Sequence, residues 1–447
     1  MVFYRPKHDR TGEMWDTWLY WRDGVHYLYY LAKAGDHFDN ISMATSPDGL
    51  RWTEVGPILQ KSEGTTWMGT GSTWRAPGKR SKFQMNFSEW KGPRQTIFFA
   101  ESEDLVHWQR LGADCEFVQD ERWYQRLGRW DCIWTLPQPD GGLYGYWTAS
   151  PHPETGARFG FGRSADGIHW EALPPPTVHG VFDGEVGAVE KIGDRYFMMY
   201  GTYNVLERIN MMITLMADKA DGPFRITPKN PHLLGGHTYF TRFYRCSDTL
   251  LVNHHCMARD GHMYMGLLKQ ALVDGEGTLR LGWWKGNDRL AGQRTPLEMS
   301  SDDAPEGAVA MVPARLDVSR GLLLECRLLL PPTPFAPRRG LYVESMDSFG
   351  TGLLFDAQGR AEFCRTNPAG TICKVEKCVD REAIFGKPAL LRLVMEHSLM
   401  EVYLDDILID VFSPSAPFSG RIGVIRGGNQ QAISELVVAN CTGDARP

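Results

Sequence analysis

Ser46-Pro47-Asp48-Gly49-Leu50-Arg51-Trp52 returns as Ser102-Glu103-Asp104-Leu105-Val106-His107-Trp108 and again as Ser164-Ala165-Asp166-Gly167-Ile168-His169-Trp170, with the serines 56 and 62 residues apart. A degenerate fourth copy runs from Ala217 to Phe224. Asp-Gly supplies the positive φ of a tight turn, and the Trp packs where the next strand begins, so the mark is expected to punctuate one sheet from its neighbour. Self-similarity at this period implies a radial array of small sheets and excludes a single continuous one.

The runs between the marks are strand-like. Val25 to Leu31 follows Leu19-Tyr20-Trp21 across Arg22-Asp23-Gly24, and Arg195 to Tyr200 follows Ala188 to Ile192 across Gly193-Asp194. Aromatic and β-branched residues around short Gly-containing turns favour antiparallel hairpins, and no stretch keeps a helical period. Openings near Asp16, Gly69-Thr70-Gly71-Ser72, Asp131, Glu185 and Tyr239-Phe240-Thr241-Arg242 give five units. The fold class is therefore all-β, a five-bladed β-propeller over residues 1–290, a linker over 291–309, and a C-terminal β-sandwich over 310–447. The sandwich rests on short strand candidates from Gly340 to Ala439, separated by turns and lacking the Trp-ended mark.

In a propeller the innermost strands face the axis, so side chains at one phase of different blades converge. Three acidic segments share such a phase: Met14 to Trp18, Arg129 to Cys132 and Asp183 to Val186. They deliver Asp16, Asp131 and Glu185 to the floor of one funnel. Around them Trp15, Trp67, Trp74, Trp90, Trp134 and Tyr203 offer flat faces for sugar rings, and Arg129 and Arg242 offer donors for hydroxyl groups. Asp and Glu beside turns more often cap or face solvent, and Trp more often packs between sheets. It is the convergence that singles these residues out.

Other functions are disfavoured. The formal net charge is −6 with Lys and Arg dispersed, which gives no footprint for nucleic acid. No apolar run approaches the roughly 20 residues of a membrane span, and residues 1–10 lack the pattern of a secretory signal, so a cytoplasmic location is expected. The nine cysteines include no C-x-x-C pair. Cys373 and Cys378 find no partner pair for zinc, and no metal or other cofactor is expected. Gly69-Thr70-Gly71 lacks the context of a dinucleotide site, and no H-E-x-x-H or G-x-S-x-G occurs. The Ser-x-Asp-Gly marks are similar to those of sialidases, but a carboxylate-binding arginine trio does not accompany them.

A propeller whose first, third and fourth blades open with Asp, Asp and Glu, followed by an all-β module, resembles the glycoside hydrolases of families 32 and 68, with the related families 43 and 62 sharing the propeller. The run Leu391 to Asp406 is similar to a strand pair in the family 32 sandwich. The resemblance implies that Asp16, in Trp15-Asp16-Thr17, is the nucleophile. It makes Asp131, in Arg129-Trp130-Asp131-Cys132, the stabiliser of the transition state, and Glu185, in Glu185-Val186-Gly187, the acid/base. The flanks depart from the family, because no Pro follows any of the three and Trp130 separates Arg129 from Asp131.

Glycoside cleavage needs one ionised carboxylate and one protonated carboxyl, and crowding at an aromatic-walled floor is expected to raise the pKa of Glu185 while Asp16 stays charged. The implied activity is an exo-acting, retaining glycoside hydrolase taking a small fructoside or related furanoside. Two readings stay open beside it, an inverting arabinofuranosidase or xylosidase resembling family 43 and a carbohydrate-binding propeller without turnover. The partner is a small oligosaccharide or glycoside. The sequence leaves open whether the sandwich is the surface of a homo-oligomer or covers a propeller flank, and whether His237, His254 or His255 joins the site.

Overall fold

The computed structural model describes residues 2–7, 13–33, 37–79, 81–153, 159–181, 184–204, 209–227, 232–299, 308–347, 349–379, 388–427 and 432–441. Strands dominate, with 3-10 turns at Ala113–Cys115 and Lys285–Leu290. Among the described residues no helix is long and apolar enough to cross a membrane. The chain divides into two compact units, Tyr4–Cys256 with Met263–Arg280, and Met1–Phe3 with Met257–His262 and Leu281–Pro447. The span 291–309 falls inside the second unit.

Among the described residues the first unit contains five sheets, antiparallel but for one short parallel pair, each opening on one strand of a common set: Glu13–Arg22, Trp67–Arg75, Trp130–Pro137, Glu185–Ile192 and Thr238–Cys246. We number the sheets I to V in that order. Sheets I, II and III each run through four strands in chain order, sheet IV adds short strands at its edge, and sheet V continues through Thr249–Met257 and Lys269–Val273. The opening strands touch in sequence, I to II, II to III, III to IV, IV to V, and V returns to I. The apolar cores lie between neighbouring sheets. Trp18, Tyr29 and Met43 of sheet I meet Met68, Met85 and Phe87 of sheet II, and Trp74 and Phe99 of sheet II meet Trp130 and Trp147 of sheet III. Tyr146 and Phe161 of sheet III meet Val186, Met198 and Tyr200 of sheet IV.

The repeated sequence mark folds the same way each time. The Ser102 hydroxyl accepts from the Leu105 N–H at 2.9 Å, and the Asp104 carboxylate accepts from the Val106 and His107 N–H groups at 2.9 and 2.8 Å. Ser46 with Asp48, and Ser164 with Asp166, repeat this pattern. Such side chains mimic a backbone turn and close it without a further residue. Position four of the turn takes a φ of 75° at Gly49 and 83° at Gly167, and Leu105 accepts the same region at 69°. Contrary to the sequence expectation, these turns lie inside sheets. Each joins the third strand to the fourth, as at Phe38–Ser46 and Thr53–Gln60.

A feature not expected from sequence recurs on all five opening strands, a β-bulge. Pairing slips between Trp15 and Trp18, Gly69 and Gly71, Asp131 and Trp134, Val186 and Ala188, and Tyr239 and Arg242. A bulge inserts one residue, bends the strand and turns backbone groups out of the ladder. Side chains of other sheets take up the carbonyls there. The Asp16 carbonyl accepts from Thr70, that of Thr17 from Asn253, that of Ile133 from Ser72 and Asn86, and that of Val186 from Arg242.

The second unit has two sheets. One joins Leu322–Leu329, Pro388–Glu396, Leu399–Leu404 and Ile407–Phe412 with Ile433–Asn440, and the other runs Val309–Arg315, Phe418–Ile425, Arg339–Ser345, Gly350–Phe355, Ala361–Thr366 and Ile372–Val379. Leu324, Leu391 and Leu393 of the first and Val343, Phe355 and Phe363 of the second share one core, as the alternating apolar pattern requires of two facing sheets.

Candidate active site

A cavity of about 880 Å³ opens over the five opening strands. Asp16, Asp131 and Glu185 line it together with Trp15, Trp67, Arg129 and Tyr203. The three carboxylates come from sheets I, III and IV, but they do not share one phase. Asp16 stands inside its bulge at a φ of 45°, Asp131 is the last paired residue before its own, and Glu185 begins its strand, paired with Gly201. Three of the five bulges hold a non-glycine residue in the left-handed region, Asp16, Cys132 at 51° and Phe240 at 49°. Such backbone costs on the order of 1 kcal/mol or more per residue and persists where the surrounding structure imposes it. Here the strain aims the Asp16 side chain. Asp183 lies outside the described residues.

One guanidinium organises two of the acids. Arg129 Nη2 donates to Glu185 Oε1 at 2.6 Å and to Asp131 Oδ2 at 3.2 Å. The other oxygen of Glu185 accepts from the Tyr239 hydroxyl at 2.6 Å, and Asp131 Oδ1 accepts from Ser88 at 2.5 Å. Asp16 Oδ1 is buried without a hydrogen-bond partner. The electrostatics follow from this layout. Burial, then the Glu185 and Asp131 charges, push the Asp16 carboxyl well above the ordinary carboxylate range against the pull of Arg242 and Arg129. Burial also raises Asp131, opposed by Arg129 and the Ser88 hydroxyl and aided by Glu185. The upward push falls on Asp16, which sequence expects to stay charged, and on Asp131. Burial and the neighbouring Glu185 raise the Tyr239 phenol, so it stays a donor.

Four of the expected binding residues lie outside the lining. Trp74 is only 5% exposed, donates to Gln84 and meets Phe99 and Trp170 edge-on, because its strand position points between sheets II and III. Trp134 donates to the Val189 carbonyl and packs against sheet IV. Trp90 stacks behind Trp67 at 5.8 Å between ring centroids. Arg242 is fully buried, lies 4.2 Å from the Phe240 ring and donates to the Val186 and Gly71 carbonyls, so it braces three sheets. It reaches the site only through its field on Asp16.

His254 and His255 are buried and outside the lining. His255 packs against Trp15 at 4.5 Å, and burial pushes its imidazole down to about 3. Sequence reasoning missed Tyr239, although it named the segment carrying it, and also missed Ser88. It overlooked the rim residues Phe38 and Asn210 too.

No protein-family model matches the chain, and no curated protein matches it in sequence. Solved structures do match. The sucrose-6-phosphate hydrolase of Lactobacillus gasseri aligns with a TM-score of 0.72 at 13% identity, covering 97% of this chain and 91% of that one. Fructan 1-exohydrolase IIa of Cichorium intybus gives 0.72 at 14% identity, covering 98% and 96%. The family 32 beta-fructofuranosidase of Bombyx mori gives 0.71 at 13% identity, covering 96% and 92%. The chain therefore has the fold of the family 32 glycoside hydrolases.

Proposed function

We propose that the five sheets are the blades of a five-bladed propeller and that its cavity is the active site of an exo-acting glycoside hydrolase. The substrate is a small fructoside or related furanoside, cleaved with retention. The observation that carries this reading is the meeting of Asp16, Asp131 and Glu185, from three separate sheets, in one cavity, the last two held by one arginine. The structural neighbours include a sucrose-6-phosphate hydrolase, a fructan exohydrolase and a beta-fructofuranosidase, which supports a fructoside over other glycosides.

The roles follow from the contacts. Glu185 hands a proton to the leaving oxygen and later takes one from water; Arg129 holds its Oε1, and its Oε2 can carry the proton because the Tyr239 hydroxyl there can turn to accept. Asp16, whose Oδ1 has no protein partner, attacks the anomeric carbon once ionised. Asp131, fixed by Ser88 and Arg129, holds sugar hydroxyls and offsets the positive charge of the oxocarbenium-like transition state. Mutual repulsion among the three keeps a proton in the site, which the first step consumes. Trp15, Trp67 and Tyr203 present faces to the sugar rings.

A panel of aryl furanosides, aryl pyranosides and β-fructosides, with the product anomer followed by NMR, tests this reading. Release of a furanose with its configuration retained is expected. An inverted product would replace the retaining mechanism by an inverting one, and no turnover on any member would remove the hydrolase reading.

A further inference from the structure

We infer that Gln95 and Ser88 are positioning residues that fix the direction of the hydrogen bond into Asp131, so that its Oδ1 remains an acceptor; this rests on the role given to Asp131 above. The argument is one of donor inventory. The Trp130 backbone N–H, which can only donate, meets Gln95 Oε1 at 3.1 Å. That contact settles which way the Gln95 amide points, and it places Nε2, also only a donor, 2.9 Å from Ser88 Oγ. Ser88 must therefore accept from Gln95 and spend its single proton on Asp131 Oδ1, at 2.5 Å. Gln95 and Ser88 are both fully buried, so water offers neither an alternative partner.

The far oxygen of Asp131 faces Arg129, so neither oxygen is left a comfortable place for a proton. The charged and titratable groups facing Asp131 are Arg129 just before its strand, Glu185 from sheet IV, Asp16 from sheet I and the neighbouring Cys132 thiol. Burial and the two acids favour protonation of Asp131, and the Gln95–Ser88 relay opposes them.

The backbone beside the relay shows how little room it leaves. A Cβ at Gly69 would lie 2.2 Å from Ser88 Oγ and 2.5 Å from Asp131 Oδ1. Only glycine fits there without displacing the bond.

The test is the titration of Asp131 in the full chain, followed by carboxyl 13C NMR and assigned by its loss in Asp131→Asn. Ser88→Ala and Gln95→Met are each expected to weaken the acid about tenfold, one pKa unit. Ser88→Thr, which keeps the hydroxyl, restores it. In the double variant Gln95→Met adds nothing to Ser88→Ala, because it acts through that hydroxyl.

Equal Asp131 titration in Ser88→Ala and Ser88→Thr overturns the inference, and so do additive effects in the double variant. If Gln95→Met does not fold, the comparison of Ser88→Ala with Ser88→Thr decides alone. A wild type that cleaves no glycoside ends the hydrolase reading, while the titration still decides the relay.

Discussion

Replacing Arg129 by methionine removes a cation that touches both Asp131 and Glu185. The stem is kept and the charge is lost, so the effect is electrostatic. Breaking a fully buried ion pair costs about 3–5 kcal/mol. The Arg129 side chain is 39% exposed, and solvent screening reduces the expected loss to about 1–2 kcal/mol at neutral pH. At about 2–4 °C per kcal/mol for a unit of this size, the cavity-bearing unit should melt roughly 2–8 °C lower.

The sign with pH is fixed. Asp16 and Asp131 already have folded pKa values above their unfolded ones, so each costs stability as pH rises past about 4 toward its raised value. Without Arg129 both rise further. The gap between wild type and Arg129→Met is therefore widest near pH 7 and narrows toward pH 4, as Asp16 and Asp131 take up protons in both. Calorimetric melts of the two proteins at pH 4, 5.5 and 7 measure it. A gap that is constant, or that widens toward acid, would refute the electrostatic account of the site.

Other outcomes follow from the same geometry. If Asp16 must be ionised to attack, falling pH protonates it, and the acidic limb of kcat/KM should lie clearly above about pH 4, the ordinary carboxylate value; activity that stays flat down to that pH would contradict the raised Asp16. Tyr239→Phe removes a charge-assisted bond worth about 1.5–3 kcal/mol and should lower kcat about 10- to 100-fold, with a melting temperature lower by a few degrees. Wild-type turnover in that variant would detach Tyr239 from Glu185. Trp67→Ala should raise KM about tenfold without destabilising the fold, since a stacking face is worth on the order of 1 kcal/mol. Trp74→Ala should cost about 3–5 kcal/mol of stability and leave KM alone, and steady-state kinetics beside thermal melts would expose the opposite pattern.

The sequence carried the skeleton of this fold because its signals are local. The Ser-x-Asp turn is closed by its own side chains, so it marks a strand-to-strand turn wherever it occurs, and its period sets where the five opening segments fall. Its place inside a sheet was not legible, since that depends on which strands pair. The bulges left no composition signal either. They depend on register, and of the residues at positive φ in them, Asp16, Cys132 and Phe240, none is glycine. Carboxylates at strand openings were legible as polar residues where apolar ones would pack, but not their differing phases.

The tryptophans divided according to which way each strand faces. Trp67 points into the cavity while Trp74, seven residues on along the same strand, packs between sheets. Arg242 stands at a strand opening, where sequence offers it as a donor for hydroxyl groups, yet the freed carbonyls of neighbouring bulges accept from both its Nη atoms. Ser88 and Gln95 read as ordinary strand residues, since their role depends on a contact with another sheet.

The central claim is that Asp16 attacks the sugar. Its most direct test is peptide mass spectrometry on the Glu185→Gln variant turned over with an activated fructoside, where loss of the general base slows hydrolysis of the intermediate. The account predicts one glycosyl mass added to the peptide bearing Asp16. Turnover with no adduct there, or an adduct on another carboxylate, would contradict it.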